Sequence, residues 1–269
     1  MKPVKKTLYT LNLPQPDGKP YCPELTDITI PLMKKYAEKI GAEFYIIDKD
    51  KFPGMPVTMN KFQMYDLCKE REDDWSIYFD VDTVVHPDFF DPTAHVTKDT
   101  TVSGMVSDFT PVRFKPDEYF LRDGRYQGKG TFFLAWSDLC LDFVNPNQDI
   151  SFEEMVSRIS PTVNELKNGV TPQHLLDDYM VSRNIARYSL KHVLVSQIQQ
   201  KYGIQGASFI HFYVKTDDWF NPVADPKAGF TADDLNRYAQ EYGKPTSEFT
   251  LSEFKVCAAK KNLGLWGLL

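Results

Sequence analysis

The chain has 269 residues, 42% hydrophobic and 14% aromatic, with a formal net charge of −6 and a sequence pI near 5.4. That length buries a sizeable core and fits one domain with peripheral additions. The acidic balance weighs against a general nucleic-acid binder, which needs clustered Lys and Arg. No apolar run approaches the roughly 18 residues of a membrane span, so no span and a cytoplasmic location are expected.

Lys6 to Asn12 reads as a first strand, followed by a Pro-rich loop. Leu25 to Ile40 carries Ile28, Leu32, Met33, Tyr36, Ala37 and Ile40 at helical spacing and stops at Gly41, which suits the left-handed position after a helix. Glu43 to Ile47 is a second strand, Asn60 to Lys69 a helix and Trp75 to Phe79 a third strand. Strand–helix–strand–helix–strand at this spacing predicts parallel pairing and a doubly wound start. Further on, Thr101 to Val106 and Gly130 to Ala135 read as strands that include antiparallel partners. Pro172 to Asn184 reads as a helix capped by Thr171, and Ser208 to Tyr213 as a short strand. Two C-terminal helices start at Thr231 and Thr250, the second with the capping box Thr250-Leu-Ser-Glu253. Four widely spaced cysteines (Cys22, Cys68, Cys140, Cys257) form no Cys-x-x-Cys pair and are expected to be buried free thiols. The expected architecture is α/β, a mixed sheet flanked by helices in a single domain over residues 1–225, with a helical extension over 226–269 packed on it.

The chemistry concentrates where the third strand ends. Trp75-Ser-Ile-Tyr-Phe79 runs straight into Asp80-Val81-Asp82, and ligands of open α/β sheets gather at the carboxyl ends of strands. A continuing strand would point Asp80 and Asp82 to the same side. Two such carboxylates repel unless a cation or proton intervenes, and their hard oxygens suit Mg2+ or Mn2+ shared with phosphates. The plain alternative is a polar strand-ending turn. Lys61 falls in the first turn of its expected helix, where its charge opposes the helix dipole; an anion docked there would justify it, and a solvated lysine is the alternative. His211 lies in Phe209-Ile-His-Phe-Tyr213, either as a core histidine or as a nitrogen ligand for a metal at the aspartates. Asp177 and Asp178 fall roughly 130° to either side of the apolar face of their helix, so that one borders a pocket while the other meets solvent. Periodicity does not say which.

Together these segments resemble the GT-A glycosyltransferases, closest to the glycogenin and bacterial galactosyltransferase branch. Met59-Asn-Lys61-Phe62 is similar to that family's Thr-Lys-Leu element, whose basic residue contacts the donor. Tyr78-Phe-Asp80-Val-Asp82-Thr83 is similar to its metal motif. His211-Phe212 with Trp219 resembles its C-terminal His-Phe…Lys-Pro-Trp element, and Gly128 to Leu134 its donor-sugar loop. The family's lysine position is Asp217 here, which leaves Lys215 as the nearest basic residue, and Asn-Ser-Gly is replaced by Gly-Lys-Gly.

The resemblance implies a GT-A (Rossmann-like) fold and transfer of a sugar from a nucleotide diphosphate, UDP favoured, to a glycan or other hydroxyl acceptor, with retention of configuration. Mn2+ or Mg2+ would sit on Asp80, Asp82 and His211. Thr10, Asn12, Asp48, Lys61, Asp80, Val81, Gly128 and Lys215 would bind the nucleotide sugar, and Asp177 or Asp178 would take the catalytic carboxylate role. A homo-oligomer is compatible with this reading. The competing classes are a phage-type enzyme that glycosylates modified DNA bases and a non-catalytic nucleotide-sugar-binding module. A nucleotidyltransferase would need a Gly-rich phosphate loop after the first strand, which is lacking.

Overall fold

Period-two alternation of apolar residues builds a sheet buried on both faces. The computed structural model describes residues 3–14, 18, 21–104, 114–115, 130–163, 166, 170–205, 209–211, 232–245 and 248–268, with backbone alone at 210, 211, 232–235 and 251. In chain order the first elements are β1 (Lys6–Leu11), α1 (Pro23–Lys39), β2 (Ala42–Ile47), a 3-10 segment (Val57–Gln63) leading into α2 (Met64–Arg71), β3 (Trp75–Asp80) and β4 (Thr83–Val85). Next come β5 (Thr100–Ser103), β6 (Phe133–Ser137), α3 (Phe152–Ser157), α4 (Leu176–Arg187) and β7 (Lys191–Leu194). They are followed by α5 (Val195–Tyr202), β8 (Phe209–His211), α6 (Ala232–Tyr242) and α7 (Leu251–Leu265).

Six strands form one mixed sheet in the order β2-β1-β3-β6-β5-β7. β1 pairs parallel with β2 and β3, β6 runs antiparallel to β3 and β5, and β5 is parallel to β7. The expected α/β class and mixed sheet are therefore present. Alternate residues feed two cores. Tyr9, Tyr78, Leu134 and Trp136 face α2 and α4, while Leu8, Ile77, Phe79, Phe133 and Ala135 face α1 and α5. A third cluster joins Leu25 and Leu32 of α1 and Val84 of β4 to Phe254, Val256, Cys257 and Ala259 of α7. All four cysteines are free and buried, and no helix among the described residues is long and apolar enough to cross a membrane.

Several sequence-predicted boundaries shift, with physical causes. The expected Asn60–Lys69 helix is split, because residues 57–63 wind as a 3-10 segment before α2 begins at Met64. Lys61 therefore does not lie in the first turn of an α-helix. The strand expected from Gly130 starts at Phe133, because residues 130–132 bend around the end of β3 and the Phe132 carbonyl accepts the Asp80 amide at 2.9 Å. α4 begins at Leu176 after a 3-10 turn over Pro172–Leu175. Gly41 takes a φ of 68° after α1, the left-handed conformation expected of it.

β8 is a short partner for β4. Phe209 sits among Phe79, Phe89 and Phe133, with ring centroids 5.2, 5.1 and 5.4 Å away. Burying such a ring contributes about 1.5–3 kcal/mol before the aromatic contacts are added. That anchor fixes the register, so that the pairs are Val85 with Phe209, Val84 with Ile210 and Thr83 with His211.

Candidate functional site

β3 ends on Asp80 and β4 starts at Thr83, leaving Val81 and Asp82 in the turn between them. The strand does not continue, so the expectation that both aspartates share one side fails. Instead each receives its own lysine from a different layer of the molecule. Asp80 shares the Tyr78 face of β3, accepts the Tyr78 hydroxyl at 2.6 Å and pairs with Lys61 Nζ at 2.8 Å. Asp82 pairs with Lys255 Nζ of α7 at 2.5 Å and accepts the Tyr21 hydroxyl at 3.2 Å. The turn is tied to α1 by Thr29, whose hydroxyl donates to the Val81 carbonyl at 2.6 Å.

Lys61 is the hub. Its Nζ lies 2.7 Å from Asp177 Oδ2, 3.1 Å from Thr131 Oγ1 and 5.3 Å from the Tyr78 ring centroid. Burial alone would lower its pKa, but the charges of Asp177 and Asp80 outweigh it and hold the ammonium well above its usual range. Thr131 closes the cluster. Its hydroxyl lies 2.6 Å from Asp177 Oδ2 and 2.9 Å from Asp178 Oδ1, and its amide donates to Asp178 Oδ1 at 2.8 Å. Burial, then the neighbouring Asp177 charge, pushes Asp178 up to about 7 against the lowering effect of Lys61 and Thr131. Burial, then Asp80, likewise raises the Tyr78 phenol well above its usual range.

The predicted helical-wheel assignment for the two helix carboxylates is corrected here. Asp177 is fully buried and Asp178 half-buried, and both reach Thr131, so neither is given up to solvent. α4 is buried almost all round, from Leu176 through Ala186, and a wheel with a single apolar face does not apply. Asp177 anchors Lys61, and Asp178 is the more accessible of the two.

Thr10, Asn12 and Asp48 fall around the same edge, at the ends of β1 and β2, the two strands on one side of β3. Thr10 is fully buried in β1, and its hydroxyl has no partner among the described residues. Asn12 follows β1, with its amide on the Ile47 carbonyl at 3.0 Å, and Asp48 is exposed just after β2. β8 brings the backbone of His211 opposite Thr83, next to Asp82. The Thr83 hydroxyl is buried and unpartnered among the described residues. Gly128 and Lys215 lie outside the described residues. No three side chains of His, Cys, Asp or Glu among the described residues form a metal-holding group. His192 lies in β7 between the hydroxyls of Thr101 and Ser103 at 2.9 and 3.0 Å.

Sequence reasoning missed Thr131, Tyr21, Tyr78 and Lys255. Tyr78 carried a signal, two residues before Asp80 on the same strand face. Thr131 lies inside the Gly128–Leu134 segment that was singled out. Lys255, 173 residues from Asp82, carried none.

No family model matches the chain, and no curated protein matches it by sequence. Among solved structures it is similar to a glycosyltransferase involved in the glycosylation of the major capsid of PBCV-1, with a TM-score of 0.41 and 11% identity over 77% of this chain and 94% of that one. It is also similar to the catalytic domain of Drosophila β1,4-galactosyltransferase 7 in complex with xylobiose, with a TM-score of 0.41 and 14% identity over 77% of this chain and 71% of that one. At these values the likenesses do not by themselves assign an activity.

Proposed function

We propose that the chain is a metal-dependent glycosyltransferase that moves a sugar from a nucleotide diphosphate, UDP favoured, to a hydroxyl acceptor. The observation that carries this reading is the register of β8 on β4. It draws residue 211 to the same corner as Asp80 and Asp82, 131 and 129 positions away in sequence, where the metal motif was expected.

The residue types suit a hard divalent ion such as Mn2+ or Mg2+: the carboxylates of Asp80 and Asp82, with residue 211, a histidine, brought by its backbone opposite Thr83. A bound ion there would act as a Lewis acid that offsets charge on the departing diphosphate. Lys61, fixed by Asp80 and Asp177, adds a preorganised positive charge at the same edge, an arrangement whose loss typically slows an enzyme about 10²–10³-fold. Thr10, Asn12 and Asp48 at the ends of β1 and β2 would meet the nucleoside.

In the transfer the bond from the anomeric carbon to the diphosphate oxygen breaks and a bond to the acceptor oxygen forms. In the retaining course expected from sequence, the acceptor's proton leaves with the diphosphate. Asp178 favours a second course, inversion. The residue is half-buried and burial pushes its carboxyl up to about 7, a basicity that would suit it to take the acceptor's proton itself. The anomeric configuration of the product separates the two.

The function as a whole is tested by a thermal-shift screen of nucleotide sugars with and without Mn2+. A shift that needs both ligands supports the proposal. No shift with any donor, in the presence of the metal, counts against it.

A further inference from the structure

Among the described residues two lysines are buried, Lys61 and Lys255, at 5% and 4% exposure, and both end on the Asp-Val-Asp turn. Lys61 arrives from the α2 side of the sheet and Lys255 from α7. The C-terminal helix is set firmly. Phe254, Val256, Cys257, Ala258 and Ala259 are all buried against Cys22, Leu25 and Leu32, and the Thr250–Glu253 box caps the helix start. A helix that only covered α1 would gain more from an apolar residue at position 255, because a buried ammonium carries a desolvation penalty of several kcal/mol. The ammonium has three donor protons. Asp82 Oδ2 at 2.5 Å and the Tyr21 hydroxyl at 3.2 Å account for two of them.

We propose that Lys255 is a tethered cation of the donor site that couples divalent-ion binding to diphosphate binding. The inference rests on the donor-site reading above. Without diphosphate, the ammonium and an incoming divalent ion compete for Asp82, and the ion binds weakly. A bound diphosphate would offer the ammonium of Lys255 an oxygen in place of Asp82, which would free that carboxylate for the ion. Only hydrogen-bond partners change; no covalent bond forms or breaks. By linkage, the ion then tightens diphosphate binding by the same factor as diphosphate tightens the ion. The C-terminal helix is on this view part of the active site, and Tyr21 is the hydroxyl that holds the ammonium in place during the exchange.

The test uses the full chain, parent and Lys255→Met, titrated by calorimetry and by electron paramagnetic resonance of free Mn2+. The ligands are Mn2+ alone, UDP alone and UDP with Mn2+. Removing one positive charge is expected to tighten Mn2+ alone about tenfold and to weaken UDP in the presence of Mn2+ about tenfold. A helix that merely packs cannot produce changes of opposite sign. Equal affinities in parent and variant, or losses of both together, overturn the role of Lys255 and leave the donor site standing. A parent that binds neither Mn2+ nor UDP overturns both.

Hydrogen exchange on the parent tests the same idea without a variant. Amides across Leu251–Leu265 should exchange faster with Mn2+ alone and recover their protection when UDP is added. Exchange indifferent to both ligands contradicts the coupling.

Discussion

Two aspartates flank β3, Asp73 buried and Asp80 partly buried, and they are satisfied in different ways. Asp73, just before the strand, is 4% exposed and accepts the hydroxyls of Thr7 at 2.7 Å and Tyr9 at 2.5 Å, with Arg71 Nε 4.0 Å away. Burial, with Cys68 and Asp73 beside it, holds the Tyr9 phenol far above its ordinary range, so these donors stay protonated. A cavity of about 180 Å³ opens beside this end, lined by Cys68, Asp73, Asp138 and Leu141 among others. Asp80, at the other end of the strand, takes an ammonium as well as a hydroxyl. Fixed neutral donors satisfy a carboxylate permanently and stiffen the fold. A lysine is a charge that can be shared with an incoming anion, so on the proposed function the Lys–Asp pairs at the carboxyl end of β3 would lie on the working side of the sheet.

Lys61→Met puts the greatest strain on this contrast. It strands Asp80 and Asp177 without their cation, and the expected cost is about 3–5 kcal/mol in chemical denaturation. Asp73→Asn keeps one acceptor oxygen for Thr7 or Tyr9 and should cost only about 1–3 kcal/mol. If the two variants lose the same stability, the ends of β3 do not differ as described.

Turnover sharpens the comparison in the other direction. Asp80→Asn should slow donor cleavage about 10²–10³-fold, while Asp73→Asn leaves the rate per folded molecule unchanged. Next in size, Asp177→Asn and Asp178→Asn should part company. The first loosens Lys61 and should raise the KM for the donor about tenfold, the ordinary effect of removing a charged hydrogen-bond partner. The second should lower kcat with little change in that KM. Equal, mild losses would remove both carboxylates from the site.

The smallest effect is one of pH. Asp178 titrates near 7 when folded and near its usual 3.8 when unfolded. Between those values the unfolded chain has released its proton while the folded chain retains it. Stability attributable to this group is therefore highest below about pH 4, falls as pH rises and levels off above pH 7. Asp178→Asn should thus raise stability by about 1–2 kcal/mol at pH 8 and by nothing at pH 4, as measured by denaturation at both values. A constant difference at the two pH values would show that the carboxyl is not perturbed by its surroundings.

Much of the sheet was legible because its determinants are local. Alternation in Leu8–Tyr9 and Ile77–Tyr78 assigns residues to opposite faces, and Gly41 and the Thr250–Glu253 box mark helix ends within a few positions. β7 escaped because Lys191-His-Val-Leu194 is only four residues long and none of them is fully buried. The site was half legible. Asp80, Asp82 and Lys61 stand out by residue type and position, and Asp80 and Lys61 do pair, but the turn at Val81 sends the aspartates to different partners, a result of sheet termination that spacing does not encode. Lys255 and Thr131 reach the cluster only through tertiary packing, and in the case of Lys255 through a helix whose surrounding residues read as plain core.

The release of nucleoside diphosphate from a UDP-sugar is the most direct test of a donor site at the end of β3, measured with Mn2+ and with chelator in the parent and in Asp82→Asn. Release by the parent should require the metal and should fall at least about a hundredfold in the variant. Release that persists in chelator, or a variant that works at the parental rate, would contradict it.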